Sequence, residues 1–179
     1  MKRIFITGPP GTGKSTIIRE ITEKLISSGL KAFGFTTPEI RVSGRRIGFY
    51  VTSLDGKNRE TLALKEHVCS GIKYGSYCVY PSASKLISSV LQKALESKGI
   101  IVIDEIGPME LIIPESYQWI KRALQSKSDI IGVVHRKLKQ RYPDIYAFIE
   151  KGIIYDTRIH TRQQIIRETI GLFLGSQGG

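Results

Sequence analysis

The stretch Gly8-Pro9-Pro10-Gly11-Thr12-Gly13-Lys14-Ser15 decides how the rest of the chain is read. It matches G-x-x-x-x-G-K-[ST], a pattern whose meaning depends on its flanks. Before it, Ile4-Phe5-Ile6-Thr7 is a short apolar run suited to a buried strand. After it, Ile17, Ile18, Ile21 and Leu25 recur at helical spacing until Gly29, a helix-ending residue. Strand, glycine-rich turn and helix together are what polyphosphate binding needs. Glycines let backbone N–H groups converge on an anion with no side chain in the way, and the positive end of the next helix faces the same point. In this reading Gly8 to Ser15 cradle the phosphates of a nucleotide, Lys14 reaches the terminal ones, and the Ser15 hydroxyl ligates Mg²⁺. The alternative is a chance glycine-rich turn, and the strand, the helix and the Lys-Ser pair argue against it.

The 179 residues, 41% hydrophobic and 24% charged, fit one globular domain over 1–174 with a flexible tail over 175–179. No apolar stretch reaches membrane-spanning length, and the start runs straight into the first strand, so a cytoplasmic location is expected. Cys69 and Cys78 are too few for a disulfide framework. They are expected to be reduced and incidental, with a bridge left open. The net charge of +11 raises the question of nucleic acid. The lysines and arginines are spread along the chain without a recognition motif, which favours a solvated surface plus a phosphate site. A weak attraction to RNA or DNA is compatible with that charge.

Working outward, Ala32 to Thr37 reads as a second strand closed by Pro38, followed by an arginine-rich segment from Glu39 to Arg46. The runs Ile47–Leu54 and Arg59–Leu64 flank Asp55-Gly56-Lys57-Asn58, a hairpin signal placed at one edge of the sheet. Residues 65–73 read as loop and Tyr74–Tyr80 as one strand. Leu86, Ile87, Val90, Leu91, Ala94 and Leu95 form a helical stripe. Ile100 to Ile103 and Ile130 to Val134 are continuous apolar runs, the mark of strands covered on both faces. Helices are expected over 115–126, 142–150 and 162–174, the last with a Thr161/Gln164 capping box, and a strand over 153–155. Strands alternating with helices imply a three-layer α/β fold with a mainly parallel sheet.

Asp104 and Glu105 follow the Ile100–Ile103 run at once. An aspartate ending an apolar strand downstream of a P-loop suits Mg²⁺ binding, so Ser15 and Asp104 are the expected metal ligands. A second carboxylate there can polarise a water and take its proton during attack on the γ-phosphate. The other reading of Glu105 is a cap on the next turn. The two strand tips, one with the phosphate loop and one with the acids, are expected to be neighbours.

The stretch Ile103-Asp104-Glu105-Ile106-Gly107-Pro108-Met109-Glu110-Leu111 resembles the D-E-I-G-x-M-E-L signature of the thermophile-type, or cancer-related, nucleoside-triphosphatase family. Gly34 to Arg41, Gly44 to Phe49 and Gly75-Ser76-Tyr77 are similar to further signatures of the same family. The resemblance implies a RecA-like P-loop NTPase fold and Mg²⁺-dependent hydrolysis of ATP, GTP, CTP and UTP with broad base tolerance. It also implies nucleotide contacts along Ile101, Val102, Ile103, Asp104, Glu105, Ile106, Gly107 and Pro108.

Phosphoryl transfer also calls for a cation beyond Lys14. Arg41 is the expected one because it follows a strand end closely; Arg45, Arg46, Arg59 and Arg136 are the alternatives. His135, the first polar residue after the 130–134 run, is a candidate sensor of the γ-phosphate or its water, or else a solvent-facing strand end. Two other functions stay open from sequence: a kinase acting on a nucleoside or small molecule, and a nucleic-acid-associated ATPase switch. The Asp104-Glu105 pair speaks against the kinase, whose acceptor brings its own hydroxyl.

Overall fold

The computed structural model describes residues 1–175. Five parallel strands set its frame. β1 (Arg3–Thr7) lies between β10 (Ile153–Asp156) and β9 (Ile130–Val134), and β9 is followed by β8 (Ile100–Ile106) and β2 (Ala32–Thr36). Helices cover both faces, which is why these strands read as unbroken apolar runs. On one face α1 (Lys14–Ser27) and α7 (Arg162–Leu174) pack over Ile4, Ile6, Val102 and Ile131. On the other, α2 (Ser84–Glu96), α4 (Pro114–Gln125) and α6 (Pro143–Ile149) cover Phe5, Ile101, Ile103 and Ile130. The three-layer arrangement expected from sequence is therefore present.

One expectation about the sheet is corrected. β1 and β8 are not neighbours, because β9 is paired to both and stands between them. The tip of β9 thus enters the space between the phosphate loop and the acids.

Past β2 the sheet continues antiparallel through β4 (Arg45–Ser53), β5 (Arg59–Lys65), β7 (Tyr77–Val79) and β6 (Ile72–Tyr74), while β3 (Glu39–Val42) pairs with β4 off that path. The expected hairpin is β4–β5, with Gly56 at φ 72° in its turn. It is one part of a larger extension. Ser43 and Gly44 join β3 to β4 with φ of 49° and 76°, the left-handed pair a type I′ turn requires. Gly75, at φ 58°, divides the expected strand 74–80 into β6 and β7. That fold-back brings Cys69 to Cys78, and the two are joined as a disulfide with Cα atoms 5.2 Å apart, where reduced cysteines were expected. Sequence spacing did not reveal the turn that makes them meet.

Helix ends follow local chemistry. Gly29, at φ 88°, donates its N–H to Ile26 while Leu30 donates to Leu25, closing α1. Thr161 Oγ1 accepts the Gln164 N–H at 3.2 Å, but the Gln164 amide donates to Glu168, so only half of the expected capping box forms. Two short helices, α3 (Pro108–Leu111) and α5 (Leu138–Arg141), escaped the periodicity reading because four residues carry no period. Of the expected tail, Gly175 caps α7 and residues 176–179 lie outside the described ones. No helix among the described residues is long and apolar enough to cross a membrane.

Candidate active site

The loop between β1 and α1 is shaped by glycines at φ 140° (Gly8), 77° (Gly11) and 82° (Gly13). At Gly11 and Gly13 a Cβ would meet nothing within 4 Å, so glycine is needed there for the backbone angle alone. At Gly8 a Cβ would stand 2.0 Å from Thr157 Oγ1. Thr157, just past β10, donates that hydroxyl to Thr12 Oγ1 at 2.8 Å and its N–H to Thr7 O at 3.0 Å; Thr12 in turn donates to Pro9 O at 2.9 Å. The exit of β10 therefore braces the loop. Thr157 carries no motif, and sequence reading had no means of finding it. Lys14 Nζ donates to Gly8 O at 3.0 Å and Pro9 O at 2.7 Å, and Gly13 offers α1 no side-chain cap, so its first N–H groups face the loop's concavity.

Opposite the loop stand the acids. A register shift between Ile103 and Ile106 keeps Ile106 on the buried face of Ile101 and Ile103 and puts Asp104 and Glu105 within a bulge. Thr37 ties down this corner by donating to Asp104 O at 3.0 Å. Loop and acids line one cleft of about 530 Å³ together with His135 and Arg136 from the tip of β9. Thr7 Oγ1 donates to Val134 O at 3.1 Å, fastening that tip to β1.

The electrostatics are those of buried carboxylates next to one ammonium. Burial pushes the Asp104 carboxyl up to about 6, held back by the Ser15 hydroxyl that donates to it and by Lys14. Burial and then the charge of Asp104 push Glu105 up to about 7, with Lys14 opposing. A third acid was missed as a site residue. Glu110 is buried, lines the same cleft, and is pushed up to about 8 by burial and by Glu105, against N–H groups of its own residue and Gly107. Its signal was legible: a glutamate three residues after an N-cap position reaches back to that residue's N–H. His135 accepts the Lys137 N–H at Nδ1, 3.2 Å, so its neutral ring carries its proton on Nε2. Burial, then Arg136, Lys137, Lys14 and Arg141, lower its pKa and keep it neutral.

Of the residues proposed from sequence, Gly8, Pro10, Gly11, Gly13, Lys14, Ser15, Asp104, Glu105 and Pro108 line the cleft. Pro9 and Thr12 brace the loop instead, and Gly107 underlies the acids. Ile101, Val102, Ile103 and Ile106 do not reach the cleft: each is at most 1% exposed, locked into the core because the strand is covered on both sides. Arg41 is not on the cleft wall either; its Nε donates to Glu39 at 2.7 Å and its Nη1 to Gly44 O at 2.8 Å. Arg46 and Arg136 are the arginines on the cleft wall. Arg46 is held by Glu39 at 2.9 Å and by the Tyr77 hydroxyl at 3.1 Å.

Comparison with known proteins agrees with this architecture. The family described as NTPase matches residues 3–170. The nucleoside-triphosphatase THEP1 of Saccharolobus solfataricus is 35% identical over 97% of this chain and 94% of its own length. That of Sulfurisphaera tokodaii is 37% identical over 94% and 95%. Among solved structures, THEP1 from the hyperthermophile Aquifex aeolicus superposes with a TM-score of 0.81 at 25% identity, covering 96% of this chain and 99% of that one. A human cancer-related nucleoside triphosphatase gives 0.80 at 28% identity, covering 98% and 99%. Phosphate loop, acid-bearing strand and matched length agree, and this chain belongs to the NTPase family.

Proposed function

We propose that this protein hydrolyses nucleoside triphosphates to the diphosphate and phosphate, with Mg²⁺ and with broad tolerance of the base. One observation carries the reading: the phosphate loop with Lys14 and the carboxylates of Asp104 and Glu105 wall the same cleft, with a neutral His135 between them. Activity as a nucleoside triphosphatase is what the names of the relatives state for those proteins.

The donor set suits a small hard cation. Ser15 and Asp104 already meet through a hydrogen bond, and among the described residues no cluster of three or more His, Cys, Asp or Glu forms an all-protein cage. Mg²⁺ takes one or two protein oxygens and fills its other positions with water and phosphate. Bound there, it would neutralise charge on the phosphate oxygens.

The chain's own groups divide the remaining work. Loop N–H groups and Lys14 hold the phosphates. Glu105 orients a water and takes its proton as the water oxygen bonds to the γ-phosphorus, and the bond to the β,γ-bridging oxygen breaks. His135 offers Nε2–H to the terminal phosphate or the water. Arg46 or Arg136, in place of Arg41, supplies the further cation, since both are on the wall. Nothing selective for one base is needed for these steps, which supports use of ATP, GTP, CTP and UTP alike.

The test is phosphate release from a panel of purified triphosphates and diphosphates, with Mg²⁺ and with a chelator. Release from all four triphosphates, abolished by the chelator, is expected. Turnover that requires a small hydroxyl acceptor would replace the hydrolase reading with the kinase one.

A further inference from the structure

The lining of the cleft extends beyond the phosphate loop and the acids. The phosphate loop is at the tip of β1 and the acids at the tip of β8, and the Ser15 hydroxyl meets Asp104 where the two come together. The cleft then continues past β8, away from β1, over Arg46 and Phe49 of β4, Tyr74 of β6 and Tyr77 of β7. A nucleotide with its terminal phosphate towards Glu105 has its base on the opposite side, so the far half is not the seat of that base.

Its chemistry is aromatic and cationic. The rings of Phe49 and Tyr77 lie 5.6 Å apart. Arg46 stands over Phe49 at 5.3 Å, Lys65 over Tyr77 at 5.5 Å, and Arg141 over Tyr74 at 5.2 Å. Arg46 is paired with Glu39, whereas Lys65 and Arg141, which stand beside the lining rings and not on the wall itself, form no ion pair among the described residues. Rings flanked by unneutralised cations are what an unpaired base and its phosphates meet in single-strand-binding proteins. The net charge of +11 adds a long-range attraction of the same sign.

We propose that the far half of the cleft binds single-stranded nucleic acid, stacking an unpaired base on Tyr74 and Phe49 while Lys65 and Arg141 take flanking phosphates. The cations beside these rings are spread over β4, β5 and α5, more than the single phosphate of a free mononucleotide engages. The inference rests on the triphosphate taking the β1 half, as in the function proposed above.

The experiment is fluorescence anisotropy of end-labelled oligo-dT and oligo-U of about 12 nucleotides, a length in the range such sites cover. It uses the full chain without nucleotide, so a failure of hydrolysis leaves the result intact. Tyr74→Ala is expected to weaken binding about tenfold or more, and Tyr74→Phe to retain it, because stacking needs only the ring. Arg141→Ala should lower the slope of log affinity against log salt by about 1. A Mg²⁺-bound nonhydrolysable ATP analogue should bind alongside the oligonucleotide. Five results would each overturn the proposal: no affinity tighter than about 100 µM; equal binding by Tyr74→Ala; equal binding of inorganic polyphosphate; uridine monophosphate binding as tightly as oligo-U; or competitive displacement by the ATP analogue.

Discussion

Glu105 and Glu110 face one another across Gly107: a Cβ added to that glycine would stand 2.9 Å from Glu105 Oε1 and 3.0 Å from Glu110 Oε2. Gly107 has an extended backbone at φ −141°, which any residue can adopt, so its hydrogen serves to leave room for two acids. Gly107→Ala is expected to fold with little loss, because the atoms it meets are ends of side chains. The carboxyl it displaces is the proposed base, and a shift near 1 Å can cost about 10²-fold in rate. Thermal melting beside single-turnover phosphate release separates the two effects; a variant with unchanged kcat would show that Glu105 can move freely.

Glu105→Gln keeps the shape and removes the base. Mg·ATP affinity should be retained while kcat falls on the order of 10²–10⁴. Equilibrium binding of a fluorescent nucleotide, measured with the turnover assay, checks both halves.

Glu110 gives a pH dependence of stability. Its carboxyl, held up to about 8 in the folded chain against 4.5 when unfolded, binds a proton in the native state that the unfolded state has lost. Stability therefore falls as pH rises from about 4.5 to about 8. Asp104 and Glu105 contribute slopes of the same sign up to about 6 and about 7. Glu110→Gln should flatten the profile and gain roughly 1–3 kcal/mol over wild type above pH 8. Urea melts at pH 5.5 and 8.5 measure the difference, and equal slopes would show that Glu110 is ionised when folded.

The two arginines at the β3–β4 hairpin should behave differently although both contact Glu39. Arg46→Ala is expected to lower kcat more than tenfold, since Arg46 is on the cleft wall and is held there by Tyr77. Arg41→Ala should lower it less than tenfold, its guanidinium being engaged with Glu39 and Gly44. The reverse order in steady-state kinetics would return the role to Arg41.

Much of the site was legible because its chemistry is local. The glycines and Lys14-Ser15 need only a strand before and a helix after, and β1 and α1 bear that context out. The apolar runs at 100–103 and 130–134 announced strands covered on both faces, and the burial of β8 and β9 matches. Periodicity failed where elements are too short to show one, at β3, α3 and α5, and where a single glycine reverses the chain, at Gly75.

The sequence alone determined which residue types are available for the proposed chemistry: a glycine-rich loop with Lys14-Ser15, two adjacent acids, and strand and helix segments in the right succession. Only the tertiary structure decided which of them meet. That β9 lies between β1 and β8, that His135 therefore enters the cleft, that Arg46 lines it while Arg41 does not, and that Thr157 braces Gly8 all depend on contacts distant in sequence. Motifs record local backbone and side-chain requirements, whereas strand order is set by how apolar faces pack together over the whole chain, and no short window contains that information.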